Sequence, residues 1–265
     1  MKRILPVLCV MLLAPMIAEY LLGDFSIRQL SALPAMILQY GAGAVVIREI
    51  WVRAGRHSYH FIALGLAFGL WTEGLLTQSL FNPDYLHLRL LTYGYLPALG
   101  TALPWALYVI GLHLIWSLAV PIGLTEAIFP TRRGTLWLGC PGLLLCGTLF
   151  LTGSATTAAY AWQHATIHAT AQQMVAIVVL IILLCAGCLL CRPPAPSAQA
   201  PKAWQCGIIA FVLGSAYLAA YAFLPAITQW PVVVGAQLTI IAAAGWWLAR
   251  PRHNAAMDYA TTGAG

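Results

Sequence analysis

The sequence predicts an all-α polytopic integral membrane protein with about eight transmembrane helices and both termini in the cytoplasm. Of its 265 residues, 61% are hydrophobic and only 8% are charged, whereas ordinary soluble domains carry about 25% charged residues. Eight apolar stretches of spanning length follow one another, and each meets the requirement of about 20 apolar residues. So few charges cannot cover a soluble surface, which makes the bilayer the solvent for most of the chain.

The first stretch has two interpretations. A basic start at Met1–Arg3 followed by the apolar run Ile4–Ala18 is typical of a signal peptide. We prefer a retained first helix, because the run continues to Gly23 and its removal would spoil the alternation of charge described below. The predicted spans are 4–23, 31–53, 60–81, 99–122, 135–161, 171–191, 204–224 and 230–249.

The distribution of Lys and Arg gives the orientation. Cytoplasmic loops of membrane proteins carry an excess of these residues. With eight spans and a cytoplasmic N-terminus, eleven fall inside and two, Arg28 and Arg89, fall outside. The inside set is Lys2, Arg3, Arg48, Arg53, Arg56, Arg132, Arg133, Arg192, Lys202, Arg250 and Arg252. The chain is predicted to lie in the cytoplasmic (inner) membrane.

A Pro-rich segment divides the chain. We predict a six-helix membrane core over 1–191, a Pro-rich cytoplasmic linker over 192–203, a final helix pair over 204–250 and a flexible cytoplasmic tail over 251–265. The seven cysteines lie in or beside apolar runs, which favours small packing residues over a disulfide framework. Cys185, Cys188 and Cys191 are three residues apart, so on a helix they fan out too widely for one metal ion.

The external segment 82–97, with three tyrosines and alternating leucines, is predicted to lie at the membrane interface. The uncharged stretch from Leu90 to Thr125 is longer than one span needs. We therefore expect residues 90–98 to form an interfacial or re-entrant piece before the fourth span.

Glu73 and His113 are the leading candidates for catalytic residues. Each lies near the middle of a predicted span, the third and the fourth, and consecutive spans are expected to be antiparallel neighbours. An ionised carboxylate at the bilayer centre costs roughly 2.5–3.5 kcal/mol on insertion scales, so intramembrane acids usually mark function. The competing interpretation is a structural hydrogen-bonded pair that locks the two helices together.

Further polar residues lie at similar depth. Thr77 is one helical turn outward from Glu73, and Ser117 is one turn inward from His113. Gln39, with Tyr40, brings polar groups to the second span, and Glu19 lies towards the outer end of the first. Since spans five to eight hold no acid or base in their apolar cores, the chemistry is predicted to belong to spans one to four.

Three other groups are interpreted more simply. Glu49 and Arg53, spaced i,i+4 at the cytoplasmic end of the second span, are predicted to form a surface ion pair. Glu126, with Arg132 and Arg133, is predicted to anchor the fourth span at the interface.

His164 and His168 lie in or near the external loop 162–170, and if this segment is helical, their i,i+4 spacing puts both on one face, as a metal site needs. His87 or Asp84 from the other external loop is then the natural further ligand. A solvated polar loop is the competing interpretation, and the cofactor stays unknown, with a divalent metal as one option.

Two blocks, Trp71–Pro83 (WTEGLLTQSLFNP) and Leu112–Pro130 (LHLIWSLAVPIGLTEAIFP), resemble a group of uncharacterised bacterial multi-pass membrane proteins. They are also distantly similar to the CAAX-like (CPBP) intramembrane protease superfamily. That resemblance implies that Glu73 matches one of a pair of glutamates, and that His113 and Ser117 match a His-x-x-x-Asn-type motif. The second glutamate is replaced by Thr72 or Gly74, and the motif's arginine by Thr77 or Gln78.

Three functions stay open. The first is an intramembrane hydrolase or transferase-like enzyme that acts on a lipid or membrane-embedded substrate through Glu73 and His113. The second is an ion-coupled small-solute transporter, and the third is a non-catalytic scaffold or assembly subunit. Nucleotide-binding motifs are absent from the sequence, and scattered basic residues argue against nucleic acid. The expected partners are membrane lipids, with a second copy of the chain or another membrane protein as an alternative.

Overall fold

The computed structural model describes residues 4–190 and 203–249. Within them the chain is built from eight apolar helices, of which seven have the length and composition to cross a membrane, and the first is shorter. We label them α1 to α8 in chain order. They are Leu5–Leu21, Ile27–Arg53, Ser58–Leu76, Leu103–Ile128, Cys140–His164, Ala171–Leu190, Ala203–Phe223 and Trp230–Ala249. The all-α polytopic class predicted from the sequence is confirmed.

Two compact units divide the described helices. The first unit holds α1 to α6, and in the second α7 packs against α8. The predicted linker up to residue 202, Cys191 and the predicted tail 251–265 lie outside the described residues. The cysteines with described side chains are free thiols, namely Cys9, Cys140, Cys146, Cys185 and Cys188.

Helix α1 is part of the core of the first unit. Its residues Val10 and Ala14 are completely buried, and its backbone crosses α2 where Gly41 faces Met11. Glycine is needed there, because a side chain on Gly41 would overlap the Met11 backbone. On the other side of α2, Gly153 of α5 makes an equally close approach. Helix α2 is therefore held between α1 and α5.

Helices α3 and α4 also pack closely, and this packing positions the candidate site. Gly65 faces the Leu114 side chain and Gly69 faces the backbone of Ile110. These two glycines lie one helical turn apart, so they form a smooth strip on α3 into which α4 fits. The other face of α3 packs on α6, where Gly74 contacts Ile177.

The connection between α3 and α4 differs from the prediction. Helix α3 ends at Leu76, before the predicted residue 81, and Gln78 follows with a positive φ of 57°. Residues 90–98 form turns and one side of a small antiparallel hairpin, in which strand β1, Tyr95–Leu96, pairs with strand β2, Thr101–Ala102. The segment expected to be an interfacial or re-entrant piece therefore consists of turns and one strand of a hairpin, and α4 begins only at Leu103. The apolar composition of this stretch predicts helix, but Gly94 and Gly100 take positive φ values, which are incompatible with a helix and form the turns of the hairpin region.

We expect Gly41→Ala to lower the stability of the protein by about 1–3 kcal/mol, the usual range for overpacking a core. The added Cβ would lie 2.8 Å from the Cα of Met11, which is backbone and cannot turn away. The measurement is the melting temperature of the purified protein in detergent.

Gly147→Ala on α5 is the matched control, because nothing lies within 4 Å of its added Cβ. Alanine is also the better helix former, so the melting temperature of this variant should stay the same or rise slightly. Equal melting temperatures for the two variants would contradict the close crossing of α1 and α2.

Candidate functional site

Each of the first four helices contains a short π-helical segment, and each segment carries polar residues of the predicted cluster. The segments are Met16–Leu21 with Glu19, Ile37–Gly41 with Gln39 and Tyr40, Trp71–Leu76 with Glu73, and His113–Ala119 with His113 and Ser117. A π-helical turn inserts an extra residue into the helix and re-aims the side chains around it. Such turns are rare and occur frequently at functional sites. Four of them around one polar cluster therefore indicate a site with a role beyond packing.

The structure brings Glu73 and His113 into direct contact. The imidazole Nε2 lies 2.7 Å from the Glu73 Oε1. The two residues are only 7% and 6% exposed. The contact follows from the close packing of α3 on α4, in which residues Ser58–Leu70 of α3 pack against the π-helical segment His113–Ala119 of α4.

Three hydroxyl groups complete the hydrogen bonding of this pair. Ser117 Oγ lies 3.1 Å from the other imidazole nitrogen, Nδ1. Thr77 donates to the Glu73 Oε2 at 3.1 Å, and the Ser79 hydroxyl donates to the same oxygen. Thr77 and Ser117 thus lie where helical spacing placed them, each in contact with its predicted neighbour.

Ser79 was not predicted. It reaches Glu73 because α3 ends at Leu76 and the chain turns back, so that the Leu80 amide donates to the Glu73 carbonyl. The signal that could have found it is the Asn82-Pro83 pair, since a proline disfavours helix in the residue before it and marks a boundary nearby.

Tyr40 connects Glu19 to the Glu73–His113 pair. Its ring stacks on the imidazole of His113, with centroids 5.8 Å apart and planes 16° apart. Its hydroxyl group also interacts electrostatically with the buried Glu19 carboxyl group. Phe68 packs edge-on against the His113 ring, with the ring centroids 5.8 Å apart. The cluster is therefore continuous from α1 to α4.

Gln39 turns away from this pair. Its side-chain oxygen accepts a hydrogen bond from the Thr157 hydroxyl of α5. Its amide nitrogen is buried and has no hydrogen-bond partner in the part of the chain that the structure describes. Gln39 therefore supports the crossing of α2 and α5, which sequence reasoning about spans one to four did not anticipate.

A small cavity of about 50 Å³ lies at the end of α3 predicted to be external. A buried water needs roughly 10–15 Å³ of such space, so the cavity can take a few waters or a small polar group. Thr77 lines it and also contacts Glu73. The remaining lining residues are Asn82, Tyr85, Leu86, Thr157, Tyr160, Ala161, His164 and Ala165.

Two groups in loops predicted to be external are affected by the charge of Glu73. Burial and the nearby Glu73 carboxylate raise the pKa of Tyr85, which lines the cavity. Burial and the same carboxylate also raise the pKa of Asp24. The Glu73 carboxylate thus acts electrostatically on groups in the loops at this end of the first unit.

The weaker metal candidates are not assembled into one site. His164 is the last residue of α5, so α5 does not continue to His168 and the expected shared helical face is missing. His164 stacks on Tyr160 and His168 on Trp162, while His87 pairs with Asp84 at 3.1 Å. Among the described residues, no three His, Cys, Asp or Glu side chains lie close enough together to hold a metal ion.

The predicted surface pair of Glu49 and Arg53 is wrong in its placement. The ion pair exists at 2.8 Å, but Glu49 and its neighbour Arg48 are both 0% exposed. The segment that follows α4 covers them: Trp137 and Leu138 donate their amides to Glu49, and the Trp137 ring stacks on the Arg48 guanidinium at 3.7 Å. A hydropathy pattern predicts that a charged residue at a helix end lies in the membrane interface. The pattern contains no information about a loop that folds over that residue.

Glu126 also has different partners from those predicted. Arg48 of α2 binds its Oε1 at 3.0 Å, and Arg56 binds both of its oxygens at 2.8 and 2.9 Å. The Nε atom of Arg133 lies 3.9 Å from the Glu126 Oε2. Glu126 therefore ties α4 to α2 and to the loop that follows α2.

Comparison with known proteins identifies a family and no activity. A family model described as an uncharacterized membrane protein family matches residues 8–256. No curated protein and no solved structure matches the chain, and the resemblance to CAAX-like proteases is not shown. Because the match covers nearly the whole sequence, the chain belongs to this uncharacterised family of multi-pass membrane proteins.

Proposed function

We propose that the Glu73–His113 pair is the acid–base centre of a membrane-embedded enzyme, a hydrolase or transferase acting on a lipid or another membrane-embedded substrate. One observation carries the proposal: a carboxylate and an imidazole hydrogen-bonded at 2.7 Å, with a hydroxyl of the same cluster lining a cavity. A pair that only locked two helices together would need neither the cavity nor four π-helical turns around it.

In the reaction we propose, Glu73 is the base and His113 its partner. A water or substrate hydroxyl that enters through the cavity meets Thr77 and gives its proton to the Glu73 carboxylate. Its oxygen then attacks an electrophilic carbon or phosphorus atom, and the proton returns to the leaving group. His113 holds the carboxylate in place and balances its charge. Positioned acid–base groups of this kind contribute about 10²–10⁴-fold to a rate.

Ser117, His113 and Glu73 are connected in the order of a serine hydrolase triad, but we assign Ser117 a positioning role. It is only 2% exposed and binds the imidazole nitrogen opposite to the one that faces Glu73. The cavity lies on the Glu73 side. Ser117 therefore fixes the orientation of the ring and is out of reach of a substrate in the cavity.

An ion-coupled transporter is the second candidate, and one observation favours it. The hydrogen-bonded groups run from the cavity through Thr77, Glu73 and His113 to Ser117, and within residues 4–190 and 203–249 the path ends there. Beyond Ser117 on α4, Leu118 and Ile122 are buried apolar residues. A polar path open to one side only is what a carrier shows before it opens to the other side.

One preparation tests both candidates. The full chain is reconstituted in vesicles made from the total lipid extract of the source cells, with a pH-sensitive dye inside. Lipid composition is followed by mass spectrometry, and internal pH is followed after an imposed pH step. The variant is Glu73→Gln, and the matched control is Asp84→Asn, an exposed acid outside the pair.

We expect new lipid products with the wild type and with Asp84→Asn, and none with Glu73→Gln. If the wild type gives a dye response but no lipid products, and Glu73→Gln gives no dye response, the protein is a transporter and not an enzyme. If the wild type gives neither signal, both candidates fail and the scaffold interpretation stands.

A further inference from the structure

The end of the first unit predicted to be cytoplasmic carries more positive charge than its acids can neutralise. We call this group the arginine cluster; it consists of Arg48, Arg53, Arg56, Arg132 and Arg133, which lie around Glu49 and Glu126. Five cations face two anions, 5 − 2, so the cluster has a net charge of +3. It lies apart from the Glu73 site, and its role does not depend on the function proposed for that site.

The two carboxylates are already fully used. Glu49 accepts from Arg48, Arg53 and the amides of Trp137 and Leu138. Glu126 accepts two hydrogen bonds from Arg48 and two from Arg56, with the Gly134 amide at 3.5 Å. Two of the three surplus charges therefore belong to Arg132 and Arg133, in the loop that follows α4, where Arg133 comes no closer than 3.9 Å to Glu126.

Arg132 has donors without acceptors. Its Nε and Nη2 atoms are buried, and neither has a hydrogen-bond partner in the described part of the chain. Leaving a buried donor unpaired is unfavourable, and more so for a charged group. The backbone of the same residue is fixed, since its carbonyl accepts from the Trp137 indole and the Thr135 hydroxyl, both at 3.0 Å. Arg133, next to it, has a side chain that is 73% exposed.

Large exposed hydrophobic side chains lie close in sequence to these two arginines. Leu124 and Ile128 on the last turns of α4, and Leu136 beyond the loop, all present large hydrophobic side chains at the surface of the chain. Hydrocarbon covers such side chains in a membrane protein. An acceptor for Arg132 and Arg133 in this place must therefore be anionic and come with an apolar part.

We propose that Arg132 and Arg133 bind the phosphate of an anionic phospholipid of the cytoplasmic leaflet, with its acyl chains along Leu124, Ile128 and Leu136. The phosphate enters beside the exposed Arg133 and supplies the acceptors that Arg132 lacks, once the Arg132 side chain turns towards it. The planar guanidinium fits phosphate oxygens with two hydrogen bonds. Anionic lipids are also the main anions at this surface, where basic segments attract them.

The test is native mass spectrometry of the full chain in detergent, titrated with phosphatidylglycerol or with phosphatidylcholine as the zwitterionic comparison. Each arginine near a membrane surface is worth roughly a five-fold change in affinity for anionic lipid. We expect phosphatidylglycerol to bind in preference to phosphatidylcholine. The double variant R132Q/R133Q should bind phosphatidylglycerol about 25-fold more weakly if the two contributions multiply.

The matched control is R28Q/R89Q, which removes two arginines of the predicted external side and should leave the affinity unchanged. If the R132Q/R133Q protein does not fold, Arg133→Gln alone carries the test, because that side chain is exposed, and a loss of about five-fold is expected. Inorganic phosphate, added at equal concentration, should not displace the lipid; displacement would identify a free-phosphate site and overturn the lipid. Equal binding of the two lipids, or of wild type and double variant, would also overturn the proposal.

Discussion

Arg48→Met is expected to destabilise the protein by about 3–5 kcal/mol, the usual effect of removing one partner from a buried ion network. Arg48 is completely buried and joins both acids of the arginine cluster, Glu49 at 2.7 Å and Glu126 at 3.0 Å. It also donates to the Thr135 carbonyl at 2.6 Å. Methionine fills similar space, so the loss of stability is caused by removing the charge and its hydrogen bonds and not by a cavity. The measurement is the melting temperature in detergent.

Two further variants make this result specific. The melting temperature of Arg48→Lys should lie between those of the wild type and Arg48→Met. A single ammonium group cannot bind two carboxylates and a carbonyl as a planar guanidinium does. Arg28→Met is the control at an exposed arginine, where we expect a change within about 0.5 kcal/mol. A melting temperature of Arg48→Met equal to that of the wild type would mean that α2 and α4 are held together without the network.

The helices and their order along the chain could be predicted because they depend on local composition. A run of apolar residues must become a helix in lipid, where every backbone polar group needs an internal partner. Two polar residues near the middle of consecutive antiparallel helices then come to similar depth. Their contact required one more condition, the close approach allowed by Gly65 and Gly69, and that depends on how α3 and α4 rotate against each other.

The residues that sequence reasoning missed are those that depend on distant parts of the chain. Ser79 reaches Glu73 only because α3 stops at Leu76. Arg48 and Glu49 are buried only because residues 135–138 cover them. The π-helical turns are also invisible to hydropathy, since a shift of the hydrogen bonds by one residue changes no side chain. Charge and apolar length decide which segments cross the membrane. The points at which helices end, and the paths of the loops, decide which polar groups come into contact.

The Glu73–His113 pair leads to the second large effect, on function. In the reconstituted vesicles, Glu73→Gln and His113→Gln are each expected to lower the measured rate by about 10²–10⁴-fold, whether that rate is lipid turnover or proton uptake. Each change keeps the size of the side chain and leaves groups that can hydrogen-bond, so folding should be preserved. Melting temperatures close to that of the wild type would verify this.

The double variant is the decisive measurement. Groups that act as one unit show non-additive losses, because removing either one already disables the other. With Nε2 and Oε1 2.7 Å apart and both residues buried, we expect E73Q/H113Q to be no slower than the slower single variant. Ser117→Ala should reduce the rate much less, since Ser117 contacts only the far nitrogen of the ring. Losses that multiply in the double variant would show two independent groups, and the pair would then be no acid–base centre.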